Sequence, residues 1–569
     1  VLLSISAVWC HWCHVMDETT YSDPGIIDKI NSDFVPVRVD SDRRPDINRR
    51  YNQGGWPSTV FLVPSGAAVT GLTFAPPPQM LTILERLGEG YVREKEAVDL
   101  EAAERAEMER ELYLNSEPAG EIDRRAAAEV EGWVLTAWDK GYGGIGSAPK
   151  FPPVGAVEFA LWRHLETGSH ALKSFVVSTL DGMRNGELFD RVEGGFFRYA
   201  TGRDWSAPHY EKMLADNAEL AWLYLCASVA LGRDDYAGTA RLTIDYVLSN
   251  LLDDERRGFY GSQDADEEYY HRDAEGRSQI RKPPIDETIY TDSTSRMVST
   301  LVLASAVFGD PGLLALAERV ADTVWRSGFR HAVGACHFFD AADGRPQLWG
   351  QPSDQVYLLK AMLELYQATA GVRFLERSIE LASTLIDRHV SGHGWLVEAG
   401  MTEGGVAATV PDAPEDIPDI VVNAVGARAL AALGELDPEG GFGEAAERIL
   451  ASYGERYKQY THFSAGYAMA TEIFAEGFIE VRVSQDADEE SRRRVTAAAV
   501  AAFNPRKIVR PETVEDFLQA EDADGAAPPA AVVCSPGRCV PVGDAGELAG
   551  VLGTIARSGR ADEGLPDGA

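Results

Sequence analysis

The sequence predicts three folded parts: an N-terminal α/β unit, an all-α barrel of six helical hairpins, and a small C-terminal α/β unit. Three observations support this division. Short apolar strands alternate with helices at the start of the chain, long one-sided helices fill its middle, and short strand segments return near its end. We place the parts at 1–93, 116–475 and 476–569, with a charged helical linker at 94–115.

The chain is strongly acidic, with 53 basic and 89 acidic side chains among 569 residues and a formal net charge of −36. Such a surface repels phosphate backbones, so we expect no nucleic-acid partner. No stretch approaches the roughly 18 uncharged apolar residues of a spanning helix, so we expect no membrane partner and a cytoplasmic location. Only ten of the basic residues are Lys, which favours a halophilic source over an ordinary acidic cytosolic protein.

In the N-terminal part, an apolar run at 1–8 predicts a buried strand. It leads directly into Trp9-Cys10-His11-Trp12-Cys13-His14. A helix is predicted at 15–31, followed by strands at 34–39 and 59–63. The cysteine pair therefore lies where a strand gives way to a helix.

This position predicts thiol–disulfide chemistry. The positive end of a helix dipole lowers a thiol pKa, so we expect Cys10 to be the exposed attacking thiol. Cys13 lies one turn later and is placed to resolve a mixed disulfide. The same residues also fit a c-type haem attachment motif, part of a zinc site or an inert buried pair. We favour the redox interpretation and expect neither a cofactor nor a metal.

A second motif, Gly54-Gly55-Trp56-Pro57, precedes the strand at 59–63. In thioredoxin-like domains a cis-proline at this place packs against the cysteine pair and exposes backbone to a partner peptide. A cis bond is uncommon before any one proline, so the motif alone is weak evidence. Together the two motifs predict a thioredoxin-like domain with Cys10, Cys13 and Pro57 at its site, and protein thiols as possible partners.

The middle of the chain reads as helical hairpins. Amphipathic stretches occur at 217–231, 296–308, 313–325, 355–370 and 373–389. Between them, turns that pair glycine with an aromatic residue recur about every 50–70 residues. They lie at Gly141, Gly194, Gly258, Gly328, Gly394 and Gly441. Six such turns predict six hairpins closed into an (α/α)6 barrel with a central funnel.

A dense set of polar and aromatic residues predicts a pocket in this funnel. The candidates are Arg198, Tyr199, Trp205, His209, Glu211, Lys212, Asp216, Asn217, Asp264 and Asp266. We expect the set from His209 to Asn217 at the start of a long helix, with Lys212 and Asp216 on one face. Carboxylates, a histidine and flat rings suit a small-molecule ligand such as a sugar. The alternatives are an ordinary Lys212–Asp216 ion pair and a solvated acidic loop around Asp264.

The C-terminal part is predicted as strands at 478–483, 507–509, 530–534 and 539–542, with helices at 489–503, 512–518 and 545–556. Cys534 and Cys539 bracket a turn. They could form a second dithiol that exchanges with the first pair, although two hairpin cysteines are the simpler interpretation.

Several motifs together resemble the spermatogenesis-associated protein 20 family. They are Trp9-Cys-His-Trp-Cys-His-Val-Met16, Arg44-Pro-Asp46, Gly54-Gly-Trp-Pro57, Gly143-Gly-Ile-Gly-Ser-Ala-Pro-Lys-Phe-Pro152, Gly194-Gly-Phe-Phe-Arg-Tyr199, the stretch from Trp205 to Asn217, and Tyr260-Gly-Ser-Gln-Asp-Ala-Asp266. The resemblance implies a thioredoxin-like domain, here without the family's N-terminal segment, fused to a barrel like those of N-acylglucosamine 2-epimerases and six-hairpin glycosidases.

Three functions follow as hypotheses. The first is thiol–disulfide exchange by the cysteine pair. The second is a sugar epimerase, isomerase or glycosidase acting in the barrel. The third is a non-catalytic barrel that binds clients for the thioredoxin-like domain. Fold alone does not choose among them.

Overall fold

A computed structural model describes residues 1–114, 120–253, 255, 257–398, 419–485, 487–512 and 529–558. Within them the chain forms the predicted α/β unit, helical barrel and second α/β unit. The helix predicted at 512–518 falls, apart from its first residue, outside the described residues. Among the described helices, none is both long and apolar enough to cross a membrane.

The N-terminal unit has a four-stranded sheet. Its elements are β1 (Leu2–Ser6), α1 (His11–Thr19), α2 (Pro24–Asp33), β2 (Pro36–Asp40), α3 (Pro45–Tyr51), β3 (Ser58–Leu62), β4 (Ala68–Leu72) and α4 (Pro77–Leu114). The sheet order is β2-β1-β3-β4, with β1 and β2 parallel and the other pairs antiparallel. This is a thioredoxin-like arrangement. It includes β4, which the sequence analysis did not predict.

Two helices replace the single helix predicted at 15–31. α2 begins anew at Pro24 because Asp23 caps it, accepting a hydrogen bond from the Ile26 amide at 3.1 Å. Further along, α4 is interrupted at Glu94, whose φ of −128° and ψ of 30° are not helical. The charged stretch beyond it continues as helix.

The barrel contains fourteen α-helices within the described residues. They are α5 (Ala126–Ala137), α6 (Val154–Thr167), α7 (His170–Asn185), α8 (Leu214–Leu231), α9 (Asp234–Asn250), α10 (Glu267–Tyr270), α11 (Ala274–Ser278), α12 (Thr291–Phe308), α13 (Pro311–Gly328), α14 (Pro352–Thr369), α15 (Val372–His389), α16 (Ile420–Leu436), α17 (Phe442–Tyr453) and α18 (Ala465–Glu476). Two 3₁₀ segments, Pro438–Gly440 and Gly454–Ser464, flank α17.

Six of these helices form a closed inner ring. In order around the ring, α6, α8, α12, α14, α16 and α18 each pack against the next, and α18 packs back against α6. An outer helix lies against each of them: α7, α9, α13, α15, α17 and α5, respectively. This is the (α/α)6 barrel that the sequence predicts. Its hairpins share one continuous apolar core.

The two ends of the barrel differ. Short links such as Gly168, Gly232 and Gly309, all with positive φ, join each inner helix except α18 to its outer partner at what we call the short-loop end. The inner helices therefore all begin at the opposite, long-loop end. Strands β5 to β12 lie there: β5 (Tyr199–Ala200), β6 (Pro208–His209), β7 (Lys212–Met213), β8 (Tyr260–Gln263), β9 (Ile285–Tyr290), β10 (Phe329–Arg330), β11 (Gly334–Phe339) and β12 (Pro346–Trp349).

Five of the six predicted glycine–aromatic turns lie at the long-loop end. Each is closed by strand-like pairing, as between Phe189 and Phe196 or between β10 and β11. The prediction for the sixth turn, at Gly441, is wrong about its location. Gly441 lies between α16 and α17, at the short-loop end. Its φ of 70° allows the short turn from the inner helix to the outer one. The sixth hairpin is completed by α18 with α5.

The C-terminal unit repeats the sheet order of the first unit. Its elements are β13 (Ile479–Ser484), α19 (Glu489–Ala501), β14 (Lys507–Glu512), β15 (Ala531–Ser535), β16 (Arg538–Val542) and α20 (Ala545–Ser558). The order is β14-β13-β15-β16, again with one parallel and two antiparallel pairs. Cys534 and Cys539 face each other across β15 and β16 and form a disulfide. The unit packs on the barrel through α19, against α12 and α14.

Candidate functional site

The predicted cysteine pair lies at the start of α1. Cys10 is the residue that caps the helix, and its Sγ accepts a hydrogen bond from the Cys13 amide at 3.1 Å. The two sulfurs form a disulfide. In the reduced state the same amide and the helix dipole would stabilise a Cys10 thiolate. The strand–cysteine–helix geometry is therefore the one that the sequence indicates.

The expectation that Cys10 is exposed is wrong. Cys10 is 4% exposed and Cys13 is 1% exposed. The pair packs in a small apolar cluster with Trp9 and, at its edge, Trp56 and Met213. The peptide bond between Trp56 and Pro57 is cis, as predicted, and Pro57 is buried. Met213 belongs to the barrel, so the barrel covers a face of the cysteine pair that the N-terminal unit alone would leave open.

Polar contacts hold the N-terminal unit on the long-loop end of the barrel. Arg43 donates to the Thr288 hydroxyl at 3.1 Å, and Arg49 donates to the Gln351 side chain at 3.0 Å. His14 Nδ1 lies 3.6 Å from a carboxylate oxygen of Asp264. The barrel residues in these contacts lie at three separate places on the long-loop end, so the disulfide is fixed over the mouth of the funnel.

A buried histidine joins the two units. His337 Nε2 donates to the backbone carbonyl of Asp42 at 2.6 Å, and Nδ1 lies 3.0 Å from the Asp354 carboxylate. Burial alone lowers the pKa of His337, but the Asp354 carboxylate outweighs it and raises the pKa to about 9. The Asp42 side chain accepts a hydrogen bond from the Trp9 indole at 2.5 Å, and burial raises its pKa to about 7.

The barrel encloses a cavity of about 960 Å³. Charged side chains on its wall form pairs: Glu219 with Arg296 at 2.5 Å, Glu158 with Arg428 at 3.2 Å, and Lys360 with Glu364 at 2.7 Å. Aromatic rings of Trp222, Tyr357, Phe151 and Phe463 complete it. Residues at the end of α19 and the start of β14 line its other end, near the short-loop end of the barrel.

Two predicted site residues, Arg198 and Asp216, line this cavity. The Arg198 guanidinium lies 4.1 Å from the ring centroid of Trp9 and 5.1 Å from that of Trp56. One side chain therefore spans from the cavity wall to the two tryptophans beside the disulfide. Asp216 lies in the first turn of α8, and burial raises the pKa of its carboxyl to about 6.

Four more predicted residues lie near the mouth but not on the cavity wall. The Tyr199 ring stacks on His209 at 4.3 Å and on Phe151 at 4.4 Å. His209 Nδ1 is 3.8 Å from the Glu211 carboxylate. Glu211 is 2% exposed, and its Oε2 has no hydrogen-bond partner among the described residues. Burial raises the pKa of Asp264, which faces His14.

The remaining predicted pocket residues support the fold. Trp205 is buried and donates to the Tyr142 carbonyl at 2.9 Å. Asp266 caps α10 by accepting from the Tyr269 amide at 2.9 Å. Asn217 accepts from the Phe196 amide at 2.6 Å and donates to the carbonyls of Phe196 and Met213. None of these three lines the cavity described above.

Lys212 corrects a specific prediction. α8 begins at Leu214, so Lys212 lies in β7 and does not share a helix face with Asp216. Its ammonium instead donates to Asp190 at 2.7 Å and to the Gly194 carbonyl at 2.8 Å. One hairpin earlier, Lys150 binds Asp139 at 2.8 Å and the Gly143 carbonyl in the same way. Lys212 is therefore part of a repeated turn structure.

The paired charges of the cavity wall were missed. Inner helices α6, α8, α12, α14 and α16 are apolar around most of their circumference, and each carries isolated charges at Glu158, Glu219, Arg296, Lys360, Glu364 or Arg428. An all-round apolar helix is a buried helix. Isolated charges on such buried helices are the feature of the sequence that could have indicated a polar cavity wall. Among the described residues, no group of three or more metal-ligating side chains could hold a metal ion.

Comparisons with known proteins support the resemblance. A family model, Thioredox_DsbH, described as "Protein of unknown function, DUF255", matches residues 1–110. Spermatogenesis-associated protein 20 of Homo sapiens is 33% identical over 295 residues, which are 47% of this chain and 36% of the human protein. Uncharacterized protein B0495.5 of Caenorhabditis elegans is 30% identical over 287 residues, 47% of this chain and 39% of that protein. The chain is thus similar to spermatogenesis-associated protein 20 over about half of its length, and each match spans less than two-fifths of the relative's own length.

Other matches are shorter or more distant. Cellobiose 2-epimerase of Bacteroides fragilis is 32% identical over 75 residues, 13% of this chain and 19% of that enzyme. A D-mannose isomerase structure aligns with a TM-score of 0.48 at 12% identity, covering 63% of this chain and 98% of that one. The GH76A α-1,6-mannanase of Salegentibacter sp. HEL1_6 aligns with a TM-score of 0.44 at 13% identity, covering 62% and 99%.

Proposed function

We propose that the protein is a thiol–disulfide oxidoreductase that acts through Cys10 and Cys13. One observation carries the proposal: the two sulfurs form a disulfide at the N-terminus of α1, directly after the first strand of a thioredoxin-like sheet. A thiol there receives a backbone amide and the helix dipole, which favour its thiolate. The Arg198 guanidinium, stacked on Trp9, adds positive charge nearby.

The exchange has two steps. A substrate thiolate attacks Cys10 Sγ, the Cys10–Cys13 bond breaks, and Cys13 leaves as a thiolate that takes up the proton lost by the substrate thiol. A second substrate thiolate then attacks the substrate sulfur of the mixed disulfide and expels Cys10. Two electrons pass from two thiols to the protein, and the substrate leaves as a disulfide. The reverse sequence oxidises the protein dithiol.

The test uses the reduced protein and the small neutral bis(2-hydroxyethyl) disulfide. Cys10→Ser should lower the exchange rate at least about 100-fold, and Cys13→Ser should stop at a mixed disulfide that mass spectrometry detects.

The matched control replaces the other disulfide, Cys534–Cys539, with two serines. This variant should keep the wild-type rate, because both positions lie in the C-terminal unit. A Cys10→Ser protein that exchanges as fast as the wild type would remove the proposal.

A second function, a sugar-converting enzyme in the barrel, is favoured by the cavity. Carboxylates of Asp216 and Glu219 line it together with the rings of Trp222 and Tyr357, a combination that suits sugar binding and acid–base chemistry. The short sequence match to a cellobiose 2-epimerase supports the same class.

This alternative predicts that one of a panel of mono- and disaccharides raises the melting temperature of the wild type and does so less for Asp216→Asn. A panel without any such shift would count against it. The third hypothesis, a barrel that only presents protein clients, is disfavoured because both sulfurs are buried beneath the barrel rim.

A further inference from the structure

We propose that the barrel cavity is the substrate site of the cysteine pair, and that the substrate is a small zwitterionic thiol or disulfide of the amino-acid class. This inference rests on the proposed thiol–disulfide function and names its substrate class. The geometry points to it through three features: the closed surroundings of the disulfide, the position of Arg198, and the balance of charge along the cavity wall.

The surroundings of the disulfide exclude a bulky partner. Both sulfurs lie in a cluster closed by Trp9, Trp56 and Met213. The two units are fastened together by hydrogen bonds such as His337 to the Asp42 carbonyl and Arg43 to Thr288. A folded protein would have to separate these contacts before its cysteine could reach Cys10. A small molecule that is already inside the barrel has no such requirement.

Arg198 connects the cavity to the disulfide. Its side chain lines the cavity, while its guanidinium lies over Trp9, the residue before Cys10, and over Trp56, the residue before Pro57. Met213, which contacts the cysteine cluster, lies three residues before Asp216 on the cavity wall. The end of the cavity nearest the long-loop end of the barrel, which we call its upper end, is therefore about one side chain away from the reacting sulfurs.

The charges of the cavity wall indicate what this upper end binds. Glu219, Glu158 and Glu364 each pair with a basic residue, and Lys507 donates to backbone carbonyls at the end of α19. Arg198 and Asp216 differ. The Arg198 guanidinium stacks on Trp9 and Trp56 and its charge acts on the Asp216 carboxyl, but neither side chain makes a hydrogen bond or a close ion pair in the described part of the chain. A half-buried cation and a half-buried carboxylate that lack hydrogen-bond partners are the groups that a ligand can satisfy.

A ligand that satisfies both must carry an anionic and a cationic group. A carboxylate would accept from Arg198, and an ammonium would donate to Asp216. An α-amino acid carries both on one carbon, and an amino-acid thiol adds the sulfur that the cysteine pair needs. The cavity of about 960 Å³ is at the upper end of the range for small-ligand sites, so it can hold a disulfide of two amino acids.

The covalent step follows the proposed exchange. The thiolate of one amino-acid thiol attacks Cys10 Sγ and releases Cys13, and a second one releases Cys10, so that two thiols become one disulfide and the protein disulfide becomes a dithiol. In reverse, the reduced protein converts one amino-acid disulfide into two thiols. No reactant beyond the thiol and disulfide pair is needed, because each electron pair moves between sulfurs.

The experiment compares four disulfides as oxidants of the reduced protein. Cystine carries both charged groups, cystamine lacks the carboxylates, 3,3′-dithiodipropionate lacks the ammonium groups, and bis(2-hydroxyethyl) disulfide is neutral. Rates are followed by tryptophan fluorescence and by loss of free thiol. Cystine should react about 10- to 100-fold faster than each of the others, the range expected for one charge-assisted hydrogen bond. The net charge of −36 works in favour of cystamine, which makes this comparison stringent.

Variants assign the two charges. Arg198→Gln should bring the ratio of the cystine rate to the cystamine rate towards one, and Arg198→Lys should restore part of it. Asp216→Asn should do the same for the ratio of cystine to dithiodipropionate. Arg319→Gln, an exposed arginine on the outer helix α13, is the matched control and should leave both ratios at the wild-type value. Ratios remain interpretable even if a variant changes the reactivity of Cys10 itself.

The outcomes separate this inference from the proposed function. Equal rates for all four disulfides would overturn the inference and leave the thiol–disulfide function standing. No reaction with any of them, the neutral one included, would overturn both. Reduction of a protein disulfide such as that of insulin as fast as cystine would also overturn the inference, because it would show that the buried pair serves protein clients.

Discussion

At the residue scale, His337 links the N-terminal unit to the barrel. Its ring donates to the N-terminal unit through Nε2 and faces Asp354 of the barrel through Nδ1, with Asp292 also nearby. A protonated ring fits both partners, since each nitrogen then carries a hydrogen. The Asp354 carboxylate raises the pKa of His337 to about 9, against 6.5 for an ordinary histidine.

The sign of the resulting pH dependence follows from this shift. A raised pKa means that His337 contributes its full stabilisation below pH 6.5 and loses it as the pH rises through 9. We expect the wild type to lose on the order of 2 kcal/mol more than His337→Gln between these values. The measurement is chemical unfolding of both proteins at pH 6.5 and pH 9.

His331→Gln is the control, since His331 lies near His337 in the chain but is exposed and pairs with Glu380 on the surface. Its pH dependence should match that of the wild type. If the curve for His337→Gln were also parallel to the wild type, the charged state of His337 would not matter for the interface.

The spacing of Lys212 and Asp216 led to a wrong prediction at this scale. Spacing places Lys212 and Asp216 on one helix face only if the helix already includes Lys212. The chain instead pairs Lys212 with Gln263 of β8 before α8 begins. The partner that fixes Lys212, Asp190, lies 22 residues earlier, and no local pattern announces such a contact.

At the scale of elements, a buried amide repeats at the start of three inner helices. Asn217 in α8, Gln355 in α14 and Asn423 in α16 each accept from a backbone amide of the preceding hairpin and donate back to a carbonyl of the same residue. The hairpin residues are Phe196, Ala335 and Leu396. These clamps fix each long loop to its helix.

Removing one of these clamps should lower the stability of the barrel, even where the clamp lies far from the proposed site. Asn423→Ala deletes hydrogen bonds to the Leu396 amide and carbonyl and to the Asp419 carbonyl, and leaves buried backbone groups unpaired. We expect a loss of about 2–4 kcal/mol in the free energy of unfolding. Asn250→Ala, at the end of an outer helix, is the control and should cost less than about 1 kcal/mol.

Urea unfolding followed by circular dichroism gives both values. Equal effects of the two substitutions would mean that the Asn423 clamp does not stabilise the barrel beyond an ordinary helix-end contact.

The sequence predicted the bounds of helices and strands better than the long-range contacts between them. Strong helical periodicity predicted α12 to α15 to within a few residues, because one-sided helices must bury their apolar face. The cysteine pair was found because its chemistry depends on local spacing. The cavity wall was not, since Glu219 and Arg296 lie 77 residues apart and meet only when the ring closes. The burial of Cys10 likewise depends on Met213, a residue of another unit.

At the scale of the whole molecule, the charge of −36 sets how stability responds to salt. Repulsion among carboxylates opposes the compact state, and the Debye length falls from about 10 Å at 0.1 M to about 3 Å at 1 M salt. We expect the melting temperature to rise as KCl increases from 0.1 to 2 M. A melting temperature that stays constant or falls would contradict this, and would also remove the main support for a halophilic source.

The pairing of the last inner helix, α18, with the first outer helix, α5, bears on how the chain is made. Tyr457, just before α18, donates to Asp123 and Glu129, which lie 334 and 328 residues earlier. On the ribosome, the first helix of the barrel must therefore wait for more than 300 residues of synthesis before the inner helix that it pairs with exists. Its apolar side is without a permanent cover throughout that interval, so a pause in translation before α18 would leave an open, aggregation-prone array of hairpins.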